Sequence, residues 1–124
     1  MKKKYSYFLF LLPVLLLVSC GKEGPGGKGA IHGMVMHHSA IIPGAVVYIK
    51  YGTQESPGSN ITYYDASVTS DSGAHYEFAD LRKGDYYLFS VGFDSSSAQT
   101  VNGGIPVEIK NKTETVSADV PVTE

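Results

Sequence analysis

The chain is poor in the residues that most chemistry needs. It has one cysteine in 124 residues, Cys20, so no intrachain disulfide can form, and no Cys–His nucleophile pattern is recognisable around it. It contains no H-E-x-x-H, no G-x-S-x-G and no P-loop. Scattered aspartates such as Asp65, Asp71, Asp80, Asp85 and Asp94 never form the D-x-D-x-D run of a calcium loop and suit turn capping instead. Basic residues number 10 against 12 acidic ones, without the Lys/Arg clusters that a nucleic-acid surface requires. No 3.6-residue apolar period is sustained beyond the N-terminus, which argues against helices. The expectation is a non-catalytic protein, with no nucleic acid among its partners.

The one long apolar stretch lies at the start. Lys2, Lys3 and Lys4 precede Phe8 to Val18, a run broken by Pro13 and short of the roughly 20 apolar residues that span a bilayer. Residues 1–19 read as a secretory signal. Leu17-Val18-Ser19-Cys20 resembles the lipobox of bacterial lipoproteins. That resemblance implies cleavage before Cys20, diacylglyceryl transfer to its thiol and a palmitate-type acyl chain on the new terminus. Lipidated Cys20 accounts for the lone cysteine and is the only covalent group implied; no other cofactor is. Losing three lysines leaves 7 basic and 12 acidic residues, a net charge of −5. Residues 20–29, with glycine at five of the nine positions from Gly21 to Gly29, read as a flexible tether. Lys22-Glu23 loosely resembles the Lys-then-acidic export signal of surface lipoproteins. The expected location is the outer membrane, through the lipid anchor, with the domain facing outward if Lys22-Glu23 acts as that signal and the periplasm if the pair only solvates the tether.

Residues 30–124 read as one all-β domain. Short runs alternate in polarity and are separated by turn residues: Ile31–His37, Ala45–Tyr51, Ile61–Thr69, His75–Phe78, Tyr86–Phe93, Ile105–Ile109 and Thr115–Val122. Ile31, Gly33 and Val35 form one face of the first run, and Val47 faces inward where Val46 faces out. Pro106 and Pro121 donate no ladder hydrogen bond and suit edges or strand ends. Seven short strands in about a hundred residues predict a Greek-key β-sandwich.

Two motifs sharpen this. Ile31-x-Gly33-x-Val35, then Pro43-Gly44-Ala45-x-Val47, resembles the opening of the carboxypeptidase regulatory-like, or transthyretin-like, domain. Phe78, Leu81, Gly84, Tyr86 and Leu88 match its F-x-x-L-x-x-G-x-Y-x-L signature. The resemblance covers nearly all of residues 30–122 and implies an accessory sandwich that serves nutrient uptake or carbohydrate handling, with a protein or carbohydrate partner. Asp71 and Gly73 stand one residue closer than the family pattern, which predicts an altered turn before Tyr76.

Two ligand-bearing patterns remain. If Ile31, Gly33 and Val35 face the core, His32, Met34, Met36 and His38 line the opposite side of the strand. Imidazoles and thioethers together suit a soft ion such as Cu(I), which would make this an envelope metal-handling protein. Alternate strand residues stand about 6–7 Å apart, a spacing that favours packed methionines and solvated histidines. Adjacent His37 and His38 are expected on opposite faces. Tyr63-Tyr64 and Tyr86-Tyr87 each predict one ring inward and one outward, the outer rings serving as cross-strand pairs or as surfaces for sugars or a protein. Asn60-Ile61-Thr62 and Asn111-Lys112-Thr113 have sequon form, which the bacterial lipobox argues against using.

Overall fold

The structure, a computed structural model, describes residues 23–124. Cys20, the signal-like segment and Lys22 lie outside the described residues. Among the described residues, alternating inward and outward side chains build nine strands: β1 (Pro25–His37), β2 (Ala40–Ile41), β3 (Val46–Tyr51), β4 (Ala66–Thr69), β5 (His75–Leu81), β6 (Gly84–Asp94), β7 (Gln99–Ile109), β8 (Thr115–Ser117) and β9 (Val120–Pro121). Among the described residues no helix is long and apolar enough to cross a membrane.

The strands form two sheets, as the alternation predicts. One runs β4-β3-β6-β7; the other is organised around β1, flanked by β5 and β2 and by β8 and β9. Ile31 stands opposite both Phe78 of β5 and Val116 of β8, while Met36 stands opposite Ile41 of β2 and Pro121 of β9. β8 and β9 run parallel to β1, so the first and last strands are neighbours. Between the sheets lie Ile31, Val35, Val47, Ile49, Tyr86, Leu88, Val101, Ile109, Val120 and Val122, all essentially without solvent contact. Burial of such side chains, about 1.5–3 kcal/mol each, is the main force holding the fold.

Several expected boundaries move, each for a local reason. The tether expected over residues 20–29 is strand from Pro25 onward, paired with Leu81 through two register shifts. A Cβ at Gly27 would stand 2.3 Å from the Leu81 carbonyl oxygen, so glycine here allows two backbones to touch. Arg82 N donates to the Gly24 carbonyl, and Gly24 N donates to Tyr86 Oη. The same hydroxyl donates to the Arg82 carbonyl at 2.5 Å, so Tyr86 closes this end of the sandwich.

The third expected strand is halved. Ile61–Tyr63 form a 3-10 turn capped by Asn60, and only Ala66–Thr69 join the sheet. β7 starts at Gln99 rather than Ile105, because Gly103 and Gly104 continue the ladder instead of breaking it. The last run divides at Ala118–Asp119 into β8 and β9. Before Tyr76 the shortened motif is an altered turn: Asp71 Oδ1 accepts from Gly73 N and His75 N, and Ala74 takes φ 66. Tyr76 still faces the core.

Candidate functional site

The outward face of the β4-β3-β6-β7 sheet is aromatic where a solvated sheet face would be polar. Tyr48 of β3 and Phe89 of β6 are directly opposite in register. The 3-10 turn carries Tyr64 over them, its hydroxyl anchored by donation to the Gly58 carbonyl at 2.7 Å. Ring centroids are 5.9 Å apart for Tyr48–Tyr64, 6.4 Å for Tyr48–Phe89 and 5.7 Å for Tyr64–Phe89. These are the separations of favourable aromatic pairs. Tyr87 extends the surface toward β7, because a Cβ at Gly104 would come within 2.8 Å of its ring. Phe89 is covered, Tyr48, Tyr64 and Tyr87 are half-buried, and Tyr63 is 56% exposed.

The rings therefore stiffen the sheet and still offer surface. Lys50 follows Tyr48 on the same side of β3 and pairs with Asp65 at 3.6 Å. Asp65 is itself fixed by Tyr51 N at 2.8 Å. Of the two tyrosine doublets, Tyr86-Tyr87 divides between core and surface as expected. Tyr63-Tyr64 does not: neither ring enters the core, since these residues leave the strand before its alternation applies.

The four residues of the predicted soft-metal stripe share less than the alternation implies. His32 is exposed, and Met34 and Met36 are half-buried. His32 opens onto a cleft of about 530 Å³ that also takes in Asp71, His75 and Glu77. His38 leaves the strand altogether with φ 59, in the two-residue turn that joins β1 to β2. That turn also corrects the expectation that His37 and His38 face apart. Their ring centroids are 4.5 Å apart.

The strand's own alternation turns His37 inward, where only 5% of it is exposed. Its Nδ1 donates to Asp94 Oδ2 at 2.6 Å, and its Nε2 donates to Glu124 Oε1 at 3.0 Å. Carboxylate oxygens only accept, so the geometry suits an imidazolium. The Asp94 bond raises the His37 pKa above 6.5 against the opposing effect of burial. The Ser96 hydroxyl, then His37, hold the Asp94 carboxyl well below the usual carboxylate range. This cluster was invisible in sequence, because 57 residues separate His37 from Asp94 and 87 separate it from Glu124.

The two shifts set opposite limits on stability. The raised His37 contributes fully below 6.5 and loses its contribution as pH rises through its folded value. The lowered Asp94 contributes fully above 3.8 and fails only as pH falls through its folded value. Thermal melts should therefore show a higher Tm near about pH 6 than near about pH 9. A flat profile between them would contradict the ion pair.

No protein-family model matches the chain, and no curated protein matches it in sequence. Among solved structures it is similar to a candidate carbohydrate-binding protein from Pseudomonas aeruginosa. The two are 15% identical with a TM-score of 0.53, over 79% of this chain and 90% of that one. The fold is a β-sandwich. The major pilin subunit of Bacillus cereus is also similar, at 15% identity and a TM-score of 0.53 over 79% of this chain, which spans 30% of the pilin. Neither of these neighbours is described as an enzyme.

Proposed function

We propose that this chain is a non-catalytic envelope lipoprotein whose carboxypeptidase regulatory-like sandwich binds carbohydrate on the aromatic face of its second sheet. Acyl chains on Cys20 would hold it at the outer membrane, each buried CH₂ contributing about 0.8 kcal/mol. The observation that carries the reading is the ring cluster of Tyr48, Tyr64 and Phe89, with Tyr87 on the same face and exposed Tyr63 next to Tyr64 in the chain. Sugars present an apolar C–H face and a rim of hydroxyls. Half-buried rings meet the first, and the Lys50–Asp65 pair beside Tyr48 supplies donor and acceptor for the second. The carbohydrate-binding assignment of the Pseudomonas neighbour supports the same partner class.

The test measures retention of the full chain on a panel of immobilised polysaccharides, beside Tyr63→Ala and Tyr87→Ala variants. Each variant should lose about tenfold in affinity, equivalent to about 1.4 kcal/mol, with Tm nearly unchanged. Binding to no glycan, or binding by both variants as tight as the parent's, would overturn the carbohydrate reading. Cell fractionation checks the anchor separately: Cys20→Ala should leave the membrane fraction or persist as unprocessed precursor.

A further inference from the structure

His37 has the surroundings of a metal ligand. In metal sites, the ring nitrogen remote from the ion is held by a carboxylate or carbonyl that fixes the tautomer and aims the other nitrogen outward. Asp94 holds His37 Nδ1 in this way, and Asp94 is in turn fixed through Oδ1 by Ser96 N at 2.9 Å and Ser96 Oγ at 2.7 Å. The free direction, Nε2, points at Glu124 Oε1 from 3.0 Å. Two ligands on a tetrahedral ion with arms of about 2.0–2.1 Å stand about 3.3 Å apart. The Nε2–Oε1 separation is near that span, and because Nε2 aims at Oε1, an ion on the Nε2 axis requires the exposed Glu124 carboxylate to swing aside and bind from a neighbouring direction.

A third ligand is at hand. The left-handed turn at His38 brings its ring beside that of His37, and ligand atoms of His37, His38 and Glu124 all lie within 4.8 Å of one another. His38 and Glu124 are exposed, so an ion has a route in and both side chains have room to adjust. We propose that His37, His38 and Glu124 form a site for a divalent transition ion of the zinc class, with Asp94 orienting His37. Two imidazoles and one carboxylate suit Zn²⁺, Co²⁺ or Ni²⁺, and a water completes four-coordination. Binding replaces the Nε2 proton of His37, which leaves to solvent. The ion would tie the segment after β9 to the β1–β2 hairpin at the end of the sandwich where His37 already meets Asp94 of the other sheet. This site shares no residue with the aromatic face or with Met34 and Met36.

Co²⁺ titration of the full chain, followed by its visible absorption and by displacement with Zn²⁺, tests the proposal. One equivalent should saturate the band. His38→Ala and Glu124→Gln, both at exposed positions, should each weaken binding at least about tenfold. Asp94→Asn should weaken it by about 10–100-fold, the range for loss of an orienting carboxylate. A Met34→Leu/Met36→Leu double variant should bind like the parent. Metal-free melts confirm that each variant is folded, and added Zn²⁺ should raise the Tm of the parent but not of His38→Ala. No saturable band in the parent overturns the site. So does parental affinity in both His38→Ala and Glu124→Gln, or loss of binding in the methionine double variant.

Discussion

Val47→Asp should abolish the cooperative thermal transition of the full chain, while Val46→Asp leaves a folded domain. Val47 has no solvent contact and packs between the two sheets with Ile49 and Leu88. The substitution removes about 1.5–3 kcal/mol of burial and places an unpaired carboxylate where several more are needed to desolvate it. Together these approach the 5–15 kcal/mol by which a domain is stable at all. Val46 lies one residue back on the outward side, half-buried, and its change should cost about 1 kcal/mol or less. Circular dichroism melts of the two variants decide the matter, and equal losses would mean that β3 has the wrong register.

Gly33→Val should be nearly as damaging, by a different route. A Cβ at this position would stand 1.9 Å from the Ala118 carbonyl oxygen and 2.5 Å from its carbon, both backbone atoms that cannot rotate away. The link between β8 and β9 must then lift off β1. It would lose the 2.7 Å bond from Ala118 N to His32 O and the 2.5 Å bond from Tyr76 Oη to Ala118 O. Val120 and Val122, both buried, would follow into solvent at about 1.5–3 kcal/mol each. Gly44→Ala is the control. Its φ of 72 also disfavours a side chain, but nothing lies within 4 Å, so only about 1 kcal/mol of backbone strain is expected. Hydrogen exchange should show lost protection in β8 and β9 for Gly33→Val alone; like behaviour in the two variants would refute the close-contact argument.

What could be read from sequence tracks what is local. Inward alternation at Ile31, Gly33, Val35 and Val47 needs only the two-residue period of a strand, and it holds. So do the turn-capping aspartates at Asp71 and Asp94, whose acceptors serve amides two to four residues away. The errors fall where distant chain segments meet. Gly24 to Gly29 has the composition of a linker, and only the neighbouring Leu81–Arg82 backbone turns it into strand. Gly103 and Gly104 lie ahead of the expected strand Ile105–Ile109, yet they pair with Ser90 and Phe89. Tyr64 left its expected strand because Asn60 caps a 3-10 turn that swings its ring onto Phe89. The His37–Asp94–Glu124 cluster required three segments to converge, and no spacing rule reports that.

The placement of β1 has a mechanical consequence. It is held on one side by antiparallel β5 and on the other by parallel β8 and β9, and the chain enters it at the Pro25 end. A pull arriving along the chain at that end is directed down the strand axis. It loads the cross-strand hydrogen bonds in shear, many at once, instead of opening them one by one as a peeled hairpin would. The domain should therefore resist extraction from its own N-terminal end far better than from a loop such as 52–65. A sandwich anchored and loaded as proposed would carry that tension through a strand paired along both edges.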